Sequence, residues 1–262
     1  MAGFDYDVLI IGSGFGGSVA ALRAAEKATG SGRTGTAVPG RRALGSAGVT
    51  GISRRLAVTA AAYDAIAVRY AEFVQGELDT LPLDRAVLAA FAEHVRTSGG
   101  GLVADLGCGE GRIGAHLAGL GLDMLGIDLS PTLTRIAKAT YPGLRFAAGS
   151  MHALPLPDSS LGGAVSWYSV IHAAPDDLPA YFAEFARVLR PGGHLLVAFF
   201  ESVSEPVTRY DHKVTPAYRW PAGDLSALAR QAGFAEVGRM SREPRDGERF
   251  RRGHLLMRAG AG

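Results

Sequence analysis

"VADLGCGEGRIG", residues 103–114, is the stretch on which the fold turns. An apolar run ends in Asp105, glycines follow at 107, 109 and 111, and a helical pattern opens at about Arg112. Glycines at that spacing let the backbone turn off the end of a buried strand and come close to a ligand before the helix starts. The next apolar run, "DMLGIDLS", reads as a second strand ending in Asp128, seventeen residues after Gly111. A carboxylate there can accept hydrogen bonds from both vicinal hydroxyls of a ribose.

Outward from this pair the pattern is regular. Helices are expected from about Arg112 to Ala118 and from about Pro131 to Thr140. "RFAAGS" gives a third strand and "GAVSWYSV" a fourth; the helix "LPAYFAEFARVL" and the strand "HLLVAFFE" follow. Such alternation predicts parallel strands joined by right-handed crossovers, with helices on both faces. "EVGRMSREP" and "RFRRGHLLMR" flank "RDGE" and read as a terminal antiparallel hairpin. Upstream lie two amphipathic helices. "TAAAYDAIAVRYAEFV" carries Tyr63, Ala67, Tyr70 and Val74 on one stripe, and "LDRAVLAAFAEHVRT" ends at Gly99–Gly101. Residues 201–221 read as a loop. Its Tyr210, His212, Tyr218 and Trp220 suit either a lid over a small, partly aromatic molecule or a surface loop packed on itself.

The N-terminus holds a competing signal, "DYDVLIIGSGFGGSVAAL" at 5–22, with Gly12, Gly14 and Gly17 after an apolar run. Over about residues 5–28 it resembles the FAD-binding start of cholesterol-oxidase-like oxidoreductases. That fingerprint needs a second strand ending in Asp or Glu some 20 residues on, where this chain has a Gly/Arg/Ser-rich run without an acidic residue. The chain therefore divides into an orphan βα fragment at 1–29, a linker at 30–57 and one α/β domain at 58–262. A FAD-dependent oxidoreductase built on the first glycine loop is the weaker alternative.

Bulk composition excludes several classes. A formal net charge of +2 leaves no electrostatic footprint for nucleic acid or an anionic membrane. Arg239, Arg242, Arg245, Arg249, Arg251 and Arg252 alternate with Glu243, Asp246 and Glu248, so a solvated, self-compensating surface is expected there. The lone cysteine, Cys108, allows neither an intramolecular disulfide nor a cysteine-based metal cluster. No targeting segment or run of ~20 apolar residues is evident, which makes the cytoplasm the expected compartment.

Taken in order, "VADLGCGEGRIG", "MLGIDLSP", "MHALPLPDSS", "AVSWYSVIH" and "RVLRPGGHLLV" make residues 58–262 resemble a class I S-adenosylmethionine-dependent methyltransferase. The resemblance implies a doubly wound, Rossmann-like α/β fold: a seven-stranded sheet of order 3-2-1-4-5-7-6, with strand 7 antiparallel. It implies S-adenosyl-L-methionine as cofactor and a small-molecule methyl acceptor. Asp105, Gly107 and Gly109 would flank the methionine part, Asp128 would hold the ribose, and Leu129 would pack on the adenine. Ser150 and Met151 would meet the adenine edge; many relatives carry Asp where Ser150 stands. Trp167 would lie near the sulfonium, and Tyr63 and Tyr70 would reach the cofactor carboxylate from an N-terminal lid helix. His172, beyond the fourth strand, is the candidate general base, with His152 a weaker one. A non-catalytic binding protein of the same fold is a further alternative. The methylated atom and the oligomeric state stay open.

Overall fold

The computed structural model describes residues 51–260. The first glycine loop and residues 1–50 lie outside them, and with them the flavin reading. Helix α1 spans Gly51–Val74, so residues 51–57 are helical where a linker was expected. Composition misled here: Ile52 and Leu56 pack on the core, and Arg55 forms a long-range ion pair.

After a 3₁₀ turn at Glu77–Thr80 come α2 (Pro82–Thr97), β1 (Leu102–Leu106), α3 (Arg112–Gly119), β2 (Asp123–Asp128), α4 (Pro131–Thr140), β3 (Arg145–Ala148) and β4 (Leu161–Trp167). A second 3₁₀ turn at Val170–His172 leads to α5 (Leu178–Val188), β5 (Leu189–Glu201), β6 (Thr208–Asp211) and β7 (Pro216–Arg219). The chain ends with α6 (Ala222–Gln231), β8 (Phe234–Arg242) and β9 (Arg251–Ala259). The main sheet runs β3-β2-β1-β4-β5-β9-β8, with β9 antiparallel to β5. Numbering aside, this is the expected order, with β8 and β9 as the terminal hairpin. The pair β6–β7 is a separate two-stranded sheet in the segment expected to be a loop.

Two-residue periodicity sorts the strands between two cores. Ala104, Leu106, Ile127, Ala164, Leu195 and Val197 face one side, where α4, α5, α6 and the buried stripe Ile66, Ala67, Tyr70 and Val74 of α1 pack. Val103, Met124, Val165, Leu196 and Ala198 face α2 and α3, through Leu88, Phe91, Val95, Ile113 and Leu117. The central parallel strands β1, β4 and β5 are buried over most of their length and largely apolar, while β3 at the sheet edge is partly exposed. β1 pairs with β2 on one side and β4 on the other. The crossovers leaving β1 (through α3) and β4 (through α5) lie on opposite faces of the sheet, so a crevice opens at the carboxyl end of β1.

One expectation about the surface fails. Arg242 and Arg252 are 8% and 4% exposed. The carboxylate that draws Arg242 inward, Asp84 of α2, is remote in sequence.

Gly126 shows how tightly the site end of the sheet is built. A Cβ there would stand 2.4 Å from Phe146 Cδ1 and 2.9 Å from Cys108 Sγ. Gly126→Ala is therefore expected to lower the stability of the domain by about 1–3 kcal/mol, read from the urea midpoint. A wild-type midpoint would show that Phe146 repacks freely.

Candidate active site

β1, β2 and β4 all end at the crevice, and the segments leaving them form its floor. Gly107 has φ 78°, a region that glycine adopts without penalty, and a Cβ on it would lie 2.3 Å from Ser169 Cβ. The Ser169 hydroxyl in turn donates to the Leu106 carbonyl at 2.6 Å, fixing the segment after β4 to the end of β1. Asp128 faces this loop. Its Oδ2 accepts the Gly109 N–H at 2.8 Å and its Oδ1 accepts the Ser130 N–H at 2.8 Å. A carboxylate has about four lone-pair positions, so two remain for hydroxyl donors. Burial raises the Asp128 pKa to about 6, although both backbone N–H groups oppose the shift.

Helix α1 roofs the crevice and is tied down along its length. Arg55 grips Asp177, ahead of α5, through Nε to Oδ2 (2.8 Å) and Nη2 to Oδ1 (2.6 Å). Asp64 accepts from the Ser130 hydroxyl and from the Thr132 N–H (3.1 Å) at the start of α4. Tyr70 hydrogen-bonds Arg112 at the start of α3, and Arg112 also donates to Glu110 (2.8 Å) and Glu77 (3.3 Å).

The fourth tie carries chemistry. His172 Nδ1 lies 3.1 Å from the Pro216 carbonyl of β7 and its Nε2 2.8 Å from the Tyr63 hydroxyl. A carbonyl can only accept, so Nδ1 carries the hydrogen and Nε2 accepts from Tyr63 O–H. Burial pulls the His172 pKa down to about 4 and pushes that of Tyr63 well above its usual 10. At neutral pH the pair is an uncharged Tyr–His hydrogen bond. The His212 ring, 4.9 Å away and edge-on, backs the imidazole from the β6–β7 hairpin.

Floor and roof bound a cleft of about 870 Å³, a volume that includes open solvent. Of the expected site residues, Tyr63, Tyr70, Gly107, Gly109, Asp128, Leu129, Met151, Trp167 and His172 line this cavity. Two expected contacts do not. Asp105 lies beneath the loop, buried, where its Oδ2 accepts the Gly114 N–H at 3.0 Å. Burial, then neighbouring Glu110, raises its pKa to about 7, so it shapes the turn. Ser150 is held in a tight bridge with Ala153, its hydroxyl accepting the His152 N–H at 3.3 Å, and it is absent from the cavity wall. His152 packs on Tyr181 instead. Sequence reasoning missed Arg112, Tyr168, Ser169 and the Arg55–Asp177 pair. Only the position of Arg112, one residue past the last glycine of the loop, could have signalled any of them.

A glycine cradle facing a carboxylate, with apolar Leu129, Leu133 and Met151 between them, fits a nucleoside whose sugar is held by Asp128 and whose tail runs over Gly107–Gly109. Comparison with known proteins agrees. Residues 103–193 match the family model described as a methyltransferase domain. An O-methyltransferase, cnsE, of Penicillium expansum is 34% identical over 148 residues, which is 52% of this chain and 52% of that one. A demethylmenaquinone methyltransferase of Beutenbergia cavernae is 28% identical over 201 residues, 67% of this chain and 82% of that one. For several curated relatives the match spans about half of their length. Among solved structures, a Burkholderia thailandensis 1,6-didemethyltoxoflavin-N1-methyltransferase holding its substrate and S-adenosylhomocysteine superposes with a TM-score of 0.64. It is 22% identical, over 82% of this chain and 93% of that one. The [4+2]-cyclase SpnF shares the fold at a TM-score of 0.59 and 19% identity, over 68% of this chain and 81% of that one.

Ionised Asp128 accepts from hydroxyl donors through both oxygens and more strongly than its acid form. Affinity for an adenosine-type ligand is therefore expected to fall as pH drops through about 6. Calorimetric titration with S-adenosylhomocysteine from pH 8 to pH 5 should show this loss. Asp128→Asn should bind at least about tenfold more weakly at pH 8, with the pH dependence flattened. Equal affinity at both ends of the range in the wild type would remove Asp128 from the sugar site.

Proposed function

Because this chain carries a class I S-adenosylmethionine-dependent methyltransferase domain, we propose that it transfers a methyl group from S-adenosyl-L-methionine to a small-molecule acceptor. The observation that carries this reading is the Asp128 carboxylate, which accepts the Gly109 N–H at 2.8 Å and lines one cavity together with Gly107 and Gly109. When bound, the cofactor supplies an electrophilic methyl group on a sulfonium. Asp128 would hold its ribose, Leu129 and Met151 its adenine, and the glycine loop with Tyr70 and Arg112 its amino-acid end. What the chain itself does is align the acceptor and exclude water. Trp167, Tyr168 and Ser169 line the acceptor side, and α1 closes the roof.

An acceptor hydroxyl must lose its proton as it is methylated, and the Tyr63–His172 pair supplies the route. Tyr63 oxygen takes the acceptor's proton while its own passes to His172 Nε2, and the Pro216 carbonyl holds the opposite ring nitrogen in register. This changes the expected role of Tyr63, from a cofactor-carboxylate ligand to a proton carrier. The imidazole is neutral above about pH 4, so its Nε2 is free to accept, while the burial that keeps it neutral also makes it a weaker base than a solvent-exposed histidine. The cytoplasm is the compartment assumed, for a chain whose single cysteine is free and buried. An acceptor that is not a nucleic acid accords with the net charge of +2. Among the described residues no helix is long and apolar enough to cross a membrane.

A [4+2]-cyclase shares the fold, and the second reading is a non-catalytic binding protein of that fold. An acceptor screen with methyl-labelled cofactor separates the two, since label transfer requires the first. On an acceptor so found, Tyr63→Phe and His172→Ala should each lower kcat about 10²-fold while S-adenosylhomocysteine affinity stays near the wild-type value. Unchanged kcat in both variants would dismiss the proton route.

A further inference from the structure

A cluster of buried charge lies beside the cavity, where the antiparallel strand β9 begins at the carboxyl edge of β5. Arg252 pairs in register with Phe200 of β5 and Arg242 of β8. Arg242 is fully engaged: Nε donates to Asp84 Oδ2 at 3.0 Å and Nη1 to Glu248 Oε2 at 2.6 Å. Glu248 also accepts the Arg245 N–H at 3.0 Å. Arg252 is not so engaged. Its guanidinium lies over the rings of Phe200 and Tyr168, 4.4 and 5.0 Å from their centroids. Its ion pair, Nη2 to Glu248 Oε1, is long at 3.5 Å, and its buried Nε has no hydrogen-bond partner among the described residues. Buried donors are nearly always paired, because leaving one bare forfeits its hydration.

Arg252 lines a small side cleft, about 270 Å³ with open solvent included, that shares Arg112, Trp167 and Tyr168 with the main cavity. Tyr168 is held there at φ 53°, a region unfavourable to a residue with a side chain, and its hydroxyl lies 3.2 Å from His254 Nε2. Such outliers persist where the surroundings enforce them. On the pocket wall Arg112, Arg242 and Arg252 stand against Glu77, Asp84 and Glu248. Arg112 and Arg242 are held by carboxylates at 2.6–3.3 Å, whereas Arg252 has only its 3.5 Å ion pair, which makes it the guanidinium on this wall best able to take an added anionic oxygen.

We propose that Arg252 anchors an anionic oxygen of the methyl acceptor, a carboxylate in the simplest case, in this side pocket behind Trp167 and Tyr168. The proposal rests on the reading that the main cavity holds cofactor and acceptor together, and it narrows the acceptor to a molecule with a negatively charged oxygen. Glu248 does not depend on Arg252, since Arg242 and the Arg245 N–H already satisfy it.

The test uses the full chain saturated with S-adenosylhomocysteine and titrated with benzoate or with benzamide, its uncharged counterpart. Benzoate should bind at least about tenfold more tightly in the wild type, lose that margin in Arg252→Met and keep part of it in Arg252→Lys. Without ligand, Arg252→Met should melt at or above the wild-type temperature, because it removes an incompletely paired buried charge. Benzoate binding no tighter than benzamide in the wild type overturns the proposal, whether or not the methionine variant folds. So does an undiminished benzoate preference in Arg252→Met. Failure of S-adenosylhomocysteine to bind at the outset overturns the cofactor reading as well, which separates the two failures.

Discussion

The carboxylate of Asp128 is the constraint on which the rest of the site hangs. It sits at the end of β2 and takes one N–H from the glycine loop after β1 and one from the start of α4. Those two segments leave neighbouring strands and would otherwise be free to drift apart. A charged acceptor shared by two backbone donors is among the stronger contacts available to a protein, and it acts where the sheet opens. The cost is visible in the raised pKa of Asp128, because the clamp keeps a charge in a place largely stripped of water. A ligand offering two further donors would relieve that cost, so recognition and local architecture depend on one side chain.

The roof follows from the same geometry. Each tie from α1 ends on a segment that starts just past the carboxyl edge of a parallel strand: Tyr70 by α3, Asp64 by α4, and Tyr63 and Arg55 between β4 and α5. Only part of the helix is in the core, and most of its outer face is solvent-exposed. Water can replace its polar ties, but its inner stripe Ile66, Ala67, Tyr70 and Val74 belongs to the main core, with Ile52 and Leu56 packed beside it. The roof is thus anchored by apolar burial as well as by polar contacts.

Much of this was legible because the informative features are local. The spacing of Asp105, Gly107, Gly109 and Asp128 gave the crevice, and strand–helix alternation gave the sheet. What escaped was decided by partners far away in the chain. Arg242 and Arg252 looked solvated because Glu243, Asp246 and Glu248 neutralise them locally, yet Asp84 draws Arg242 inward from α2. The strands of the β6–β7 hairpin, Thr208–Asp211 and Pro216–Arg219, are too short and too polar to show a periodicity, although the hairpin supplies the carbonyl that sets the His172 tautomer. Residues 51–57 carry linker-like Gly, Ser and Arg, and only Asp177, far along the chain, gives Arg55 a reason to be helical. Ser150 occupied the expected sequence position, but the bridge to Ala153 keeps its hydroxyl off the cavity wall.

Charge balance ties the main cavity to the pocket beside it. Around the glycine loop Arg112 is matched by Glu77 and Glu110, Arg55 by Asp177, and Asp128 stands as additional negative charge. A wall of that sign favours a cationic ligand over its neutral product, by an amount that grows as water is excluded. His172, held neutral, adds no opposing charge before a proton arrives. On the far side of Trp167 and Tyr168 the opposite charges are equal in number, and Arg252 holds only a long ion pair, 3.5 Å to Glu248. An anion held by Arg252 would share this low-dielectric neighbourhood with a cation in the main cavity, and their attraction would hold the two in place until the sulfonium gives up its methyl group and with it its charge.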